Sequence, residues 1–339
     1  MLRKTSVQKN VVDALMEPAA YDEEPGQIKL VQTHISFVFL TRKSAYKIKK
    51  AVDLGFLDFT TLEKRRFFCE KELMLNKRLC RDMYLEVVPI NRSTVFKIKG
   101  EGETVEYAVK MKRMPQAKMM NQLLKENKID DKIINRIAKI ISDFHSKIGT
   151  SREISKFGSL AVIRTNWKEN FEQTQTFIGK TISEKGFKQI RERVNNFMKE
   201  QKPLFVKRVT EGRVRDCHGD IHSGNIFIVD GIHIFDAIEF NERFRYSDVA
   251  SDVAFLAMDL DYKKRTDLSK LFIRKYEAYS GDEELMKLLP FYKCYRAYVR
   301  GKVTSFKLQD PDISEEEKKI ATQEAMAYFK LATTYSTTI

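Results

Sequence analysis

Residues 217–240 read CHGDIHSGNIFIVDGIHIFDAIEF, and Asp220, Asn225 and Asp236 stand out among otherwise apolar neighbours. Two alternating apolar runs, NIFIV and IHIF, flank Asp230-Gly231, a strong local signal for a hairpin with a two-residue turn. That turn predicts Val229 facing Ile232, Ile228 facing His233, Phe227 facing Ile234, and Asn225 opposite Asp236. Directly opposed residues hold their Cβ atoms about 4.5–5.5 Å apart. An amide oxygen and a carboxylate so placed would both reach one hard cation. Mg²⁺ suits them, because it takes oxygen ligands and is commonly held by one or two protein groups plus phosphate oxygens. Asp220, on the loop leading to Asn225, is placed to serve a hydroxyl as general base.

The spacing Asp-x-x-x-x-Asn followed by a further Asp is that of a phosphoryl-transfer catalytic loop and its metal-binding acid. Single Asn and Asp residues often do no more than cap strand ends; three in this arrangement point to chemistry. Transfer also needs a cation on the phosphates. In the strand-like run SAYKIKK, residues two apart share a face. Ala45 and Lys47 therefore stand together, a small residue beside a purine ring and then an ammonium; Lys49 shares the face and is the rival. An acid on the following helix should orient the lysine, with Glu70 and Glu72 as candidates.

These residues need elements to carry them. The chain has 339 residues, enough for two domains or one bilobal unit. Its 42% hydrophobic and 32% charged content is that of a globular protein, and no apolar run nears the roughly 18 residues of a membrane span. The N-terminal segment lacks a signal-peptide core. The four cysteines, Cys69, Cys80, Cys217 and Cys294, have no paired spacing, so reduced thiols and a cytoplasmic location are expected. A net charge of +14 attracts polyanions, but no aromatic-basic nucleic-acid module is visible.

A short helix over residues 6–16 and an acidic loop precede three β-like runs, IKLVQ, FVFL and SAYKIKK. Thr60 with Glu63 reads as the capping box of the next helix. LEVVPI, TVFKIK and TVEYAVKMKRM continue the sheet until Pro115. Beyond residue 120 the apolar spacing is helical, and Ser314 with Glu317 caps the last helix. The expected fold is α+β and bilobal: residues 1–24 an N-terminal helix and loop, 25–115 a small antiparallel β lobe, 116–339 a larger helical lobe that includes the hairpin.

HGDIHSGN followed by FDAIEFN resembles the aminoglycoside phosphotransferase and choline kinase superfamily, relatives of protein kinases. The stretches THISFVFL, AYKIKKAVDLGFLDFTTLEKRRFFCEKELMLNKRL, EYAVKMKRM, GRVRDCHGD and RYSDVASDVAFLAMDL are similar to an uncharacterised prokaryotic branch of it, often fused to a P-loop ATPase domain. The resemblance covers roughly residues 10–335. It implies a protein-kinase-like fold that uses ATP and Mg²⁺, transferring the γ-phosphate to an acceptor hydroxyl. By the same resemblance Asp220 is the catalytic base, Asn225 and Asp236 are the metal ligands, Lys47 is the phosphate-binding lysine and Glu72 is its helix partner. His218 holds the catalytic loop, Met111, Lys112 and Met114 form the hinge against adenine, Glu239 follows the metal-binding acid, and Asp248 is a cap or loop tether.

Two departures stand out. The phosphate-covering loop, QTHIS, has no glycine, so Thr33 and Ser36 hydroxyls, with His34, would replace close backbone amides. No G-x-x-x-x-G-K-[ST] run occurs, so the fused ATPase domain is not expected here. Arg296 and Arg300, four apart on one helix face, could steer an anionic acceptor or simply be solvated. Trp167 reads as a core or groove anchor, and Arg213 and Arg215 as loop packing. The acceptor itself is not named. The competing classes are an ATP-binding regulator with little or no transfer activity, a metal hydrolase using His218, Asp220, His222 and His233, and a nucleic-acid binder suggested by charge alone.

Overall fold

The computed structural model describes residues 6–310 and 313–339; residues 1–5 of the N-terminal segment lie outside it. In chain order it contains α1 (Ser6–Ala14), β1 (Lys29–Gln32), β2 (Ser36–Leu40), β3 (Ser44–Lys49), α2 (Leu62–Asn76), β4 (Tyr84–Arg92), β5 (Phe96–Ile98) and β6 (Glu103–Lys112). There follow α3 (Met120–Lys125), α4 (Asp131–Lys147), α5 (Arg152–Ser155), α6 (Leu160–Thr174), α7 (Glu184–Glu200), α8 (Lys202–Thr210) and β7 (Val214–Asp216). The chain ends with β8 (Ile226–Ile228), β9 (Ile232–Ile234), α9 (Glu242–Arg245), β10 (Tyr246–Asp248), α10 (Val249–Tyr262), α11 (Thr266–Ser280), α12 (Leu285–Phe306) and α13 (Glu315–Ser336). None of the described helices is long and apolar enough to cross a membrane.

Two compact units result. The first comprises Met1–Gln122 and Asn225–Glu242, the second Leu123–Gly224 and Arg243–Ile339. The hairpin, expected within the helical lobe, thus counts with the β-rich unit.

In the first unit six strands form an antiparallel sheet in the order β1-β2-β3-β6-β4-β5. Strand periodicity sorts its side chains. Tyr46 and Ile48 face a core with Phe37, Phe39, Val88, the α1 residue Val11 and, just past that helix, Leu15. Ala45 faces the other way, into a cluster with Val109, Met111 and Tyr84. Helix α2 packs on β6 and β4. Its cap is one residue later than the pattern suggested. Thr61, not Thr60, accepts from the Lys64 amide at 3.2 Å, while the Thr60 hydroxyl turns to Asp58. Glu63 therefore sits one position short of a capping box.

In the second unit α12 packs on α10 and α13, and α4 on α11. Every residue of α10 from Val249 to Leu260 is buried. A helix buried all round belongs to a core, yet this one carries Ser251, Asp252 and Asp259, and buried carboxylates must be matched to persist. Ser314 and Glu317 close the expected capping box on α13.

Candidate active site

Strand β3 projects Lys47 and Lys49 from one face. Lys47 donates to Glu72 Oε1 at 2.9 Å and to Asp236 Oδ1 at 2.7 Å. Lys49 donates to Glu72 Oε2 at 2.8 Å and also to Glu239. One α2 carboxylate thus bridges both lysines, and it is fully buried. Glu70, its rival, lies on the exposed side of α2, paired with Arg66. Burial works against the charge of Lys47, but Asp236 and Glu72 outweigh it and lift its ammonium well above the usual lysine range. Lys49 is raised likewise against burial, by Glu239 and Glu72. Glu72 is lowered: burial opposes its charge and the two lysines overcome it.

The hairpin is present, but its register differs from the expected one. Ile226 pairs with Ile234, Phe227 with His233 and Ile228 with Ile232. The loop has three residues, with Asp230 at φ 51° and Gly231 at φ 143°, and Val229 N–H donates to Gly231 O at 3.1 Å. Asp-Gly also suits three-residue loops, which take one residue in a left-handed conformation. The extra loop residue slips each predicted pairing by one. Asn225 O accepts from Phe235 N–H at 3.0 Å, so Asn225 does not stand directly opposite Asp236. Asp236 lies past the ladder at φ 66°, a conformation that Asp tolerates better than most residues. The turn sends its carboxylate to Lys47 and leaves its side chain 42% exposed. The next amide, Ala237 N–H, is held by Asn76 Oδ1 at 2.9 Å, which anchors this turn to the end of α2.

Beside the ions lies an apolar face. Ala45 is paired across the sheet with Met111 and Leu40, and Met111 with Tyr84. Met114, Phe227 and Phe235 pack into the same cluster. Met111 and Met114 point inward, whereas Lys112 is exposed. At the β1–β2 turn Thr33 Oγ1 accepts from the Ser36 amide at 2.9 Å and shares a 2.8 Å hydrogen bond with Ser36 Oγ. Both hydroxyls are engaged in shaping their own turn, and Ser36 is buried.

The second unit carries Asp220, 29% exposed, on the loop after β7. Asp252 of α10 accepts from the Gly219 and His218 amides, each at 2.9 Å, one on each carboxylate oxygen. Arg296 Nη1 donates to Gly219 O at 2.9 Å and its Nε to Ser251 O at 3.2 Å. The Asp220 amide approaches His218 Nδ1 at 3.3 Å, and Ser223 N–H donates to Asp259 at 2.8 Å. His222 Nε2 lies 3.5 Å from Asp220 Oδ2. Burial alone would raise the Asp220 carboxyl; His222, then Arg300 and His218, draw it down to about 2. It is an anion at neutral pH.

Other expectations resolve by burial. Arg296 is buried and holds the loop, so it is not a solvated steering group. Trp167 is a core residue, stacked on Phe171 at 5.3 Å. Asp248 both caps α10 and pairs with Arg208, and Arg215 donates to Ile148 O. The four cysteines are buried and unlinked. Among the described residues the trio with metal-ligand proximity is His145, Cys217 and Asp252, not the histidine set of the hydrolase reading.

No family model matches the chain. An uncharacterized protein of Mycobacterium tuberculosis is 32% identical over 277 residues, covering 81% of this chain and 54% of that protein. The chain therefore spans about half the length of the curated relatives it matches. A choline/ethanolamine kinase family protein from Mesorhizobium loti aligns with TM-score 0.53 and 11% identity, covering 98% of this chain and 100% of its own. The GDP complex of aminoglycoside 2'-phosphotransferase-IIIa gives TM-score 0.53 and 12% identity, covering 96% and 99%. The fold is that of the aminoglycoside phosphotransferase and choline kinase superfamily. Amicoumacin kinase hAmiN, in complex with AMP-PNP, Ca²⁺ and Ami, aligns with TM-score 0.53 and 12% identity over 96% of this chain and 94% of its own.

Within this kinase-like fold, several residues about the candidate site escaped the sequence reading. Asp252 and His145 are distant in sequence from the loop they support, and Tyr84, buried beside Glu72 and Lys47, sat in an ordinary strand. A usable signal existed for Asp252 alone: a carboxylate in the middle of an apolar helical run.

Proposed function

We propose that the chain is an ATP- and Mg²⁺-dependent phosphotransferase acting on a hydroxyl of a small-molecule acceptor. The observation that carries this reading is Lys47 held between Glu72 and Asp236. An ammonium fixed by a helix acid and resting on a second, partly exposed carboxylate suits phosphate binding beside a metal ligand. The Asn225 amide and the Asp236 carboxylate are hard oxygen donors, which fit Mg²⁺. When bound, the ion neutralises charge on the phosphates. Ala45, Met111 and Met114 offer the purine ring an apolar face, with Lys112 beside them at the hinge. Glu72 orients Lys47 toward the phosphates. Asp220, ionised and held by its loop, would take the proton of the acceptor hydroxyl as its oxygen attacks the γ-phosphorus and the bond from that phosphorus to the β–γ bridging oxygen breaks, releasing ADP. His218 supports the backbone of that loop.

The test is transfer from labelled ATP to a metabolite extract, with the labelled product identified. Asp220→Asn should keep nucleotide binding and lose about 10²–10⁴-fold in transfer. Asp236→Ala should lose metal-dependent nucleotide binding. Wild-type turnover by the Asp220 variant would overturn the base assignment.

One observation favours a second reading, an ATP-binding regulator. Thr33 and Ser36 bond to each other in a loop without glycine, which leaves phosphates less covered. That reading expects stabilisation by ATP and Mg²⁺ with no phosphorylated product.

A further inference from the structure

Asn166, Glu169, Asn170 and Gln173 recur at three- and four-residue steps, so one face of α6 is polar. Across from it, α12 presents Tyr295 and Lys302. Lys302 Nζ donates to Asn170 Oδ1 and to Gln173 Oε1, each at 2.7 Å. Glu169 acts on Lys302 only from a distance, since its two oxygens accept from Arg243 at 2.7 and 2.6 Å. Lys302 is therefore a half-buried ammonium resting on two neutral amides. Burial, with Arg243 alongside and only Glu169 opposing, brings it down to about 8. Glu169 is thus engaged by Arg243, and the Lys302 ammonium meets amide oxygens instead of a carboxylate. A separate observation lies next to it: Asn170 Nδ2, on the same amide that Lys302 meets, and Asn166 Oδ1 are buried with no hydrogen-bond partner. Packing surfaces seldom leave such atoms unmet. Ligand surfaces more often do, with a few convergent polar groups on an otherwise apolar wall.

The same helix leads to the catalytic loop. Arg296 donates to the carbonyl of Gly219, the residue before Asp220. From Arg296 to Lys302 the helix rises about 9 Å along its axis, with the two side chains leaving it about 120° apart.

We propose that the α6–α12 face binds the acceptor through an anionic group, a carboxylate or phosphate, with Lys302 as counter-charge and the Gln173 and Asn166 amides beside it. Naming the ligand an acceptor rests on the phosphotransferase reading; the anion site does not. Like charge would reject ammonium-bearing acceptors here.

The test uses the full chain and four probes: D-gluconate, glucose 6-phosphate, D-glucose and D-glucosamine. Acylation of Lys302 by acetic anhydride is read by mass spectrometry, and dissociation constants by calorimetry. Gluconate or glucose 6-phosphate should protect Lys302, and whichever does so distinguishes carboxylate from phosphate. Glucosamine should not protect it. Lys302→Met should weaken that binding roughly ten- to hundredfold, Lys302→Arg should restore it, and wild-type binding should weaken as pH rises past about 8. Protection by neither anion, equal protection by glucosamine, or an unchanged constant in Lys302→Met would overturn the proposal. Binding of ATP with Mg²⁺ is measured on the same samples. Anion binding without nucleotide binding would sink the phosphotransferase reading alone; nucleotide binding without protection of Lys302 would sink only this one.

Discussion

Around Lys47, in the first unit, charge is held by charge: two ammoniums face Glu72, Asp236 and Glu239. In the second unit, one buried carboxylate, Asp252, holds the loop of Asp220 largely through backbone amides. The first arrangement has an excess of carboxylate and one partly exposed member, so an arriving cation or phosphate can re-partner it. The second has each carboxylate oxygen bonded to a loop amide, with His145 and Arg296 close by. Ion networks tolerate exchange, whereas amide cradles preset geometry. A phosphotransferase needs both, one to receive a charged ligand and the other to keep a base in place.

The sharpest way to break this contrast is Glu72→Gln. It leaves the two buried ammoniums with one carboxylate each, Asp236 and Glu239, and takes away the group that bridges them; removing one partner from a buried ion set typically costs about 3–5 kcal/mol. Urea denaturation should show that loss, and an unchanged midpoint would mean the network is slack. Asp252→Asn comes next. The amide keeps one acceptor and turns a donor toward the other loop N–H, so the expected loss is about 1–3 kcal/mol. Turnover should fall with nucleotide affinity intact, because both amides that Asp252 holds belong to the loop of Asp220. If nucleotide affinity fell instead, the division of labour would be wrong.

How much of this could be read from the chain follows the range of each interaction. The hairpin was legible because Asp230-Gly231 is a local signal. Its register was not, because the same dipeptide serves two- and three-residue loops with Asp230 left-handed in either, and only the pairing of Ile228 with Ile232 decides between them. Strand alternation put Ala45, Lys47 and Lys49 on one face but could not rank the lysines, and the structure gives both to Glu72. The roles of Asp252 and Arg296 depend on partners 34 and 77 residues away. Helical spacing placed Arg296 and Arg300 on one face without saying that Arg296 was buried.

The slipped register makes a smaller prediction about the first unit. Asp236→Gly and Asp236→Ala both lose the carboxylate that meets Lys47. They differ in that only glycine adopts φ 66° freely. The glycine variant should be the more stable by about 1–2 kcal/mol, the usual cost of a left-handed backbone for a residue with a Cβ. Equal melting midpoints would mean that the loop relaxes once its charge is gone, and that Lys47, not the hairpin, imposes the turn.

The smallest effect belongs to Glu70, and it tests whether burial rather than charge distinguishes the α2 acids. Glu70 and Glu72 are two residues apart on one helix and have the same chemistry. Glu70 pairs with Arg66 at 2.9 Å, but both side chains are more than half exposed. Water and salt screen such a pair, and it also gives up side-chain entropy to hold its geometry. Glu70→Gln should change stability by no more than about 0.5 kcal/mol, and the residual effect should shrink in high salt. Beside the Glu72 variant, the two carboxyl-to-amide changes differ chiefly in solvent exposure and in the number of cations served. A loss at Glu70 comparable to that at Glu72 would show that α2 acts through its summed charge, and the assignment of Glu72 as the particular partner of Lys47 would lose its basis.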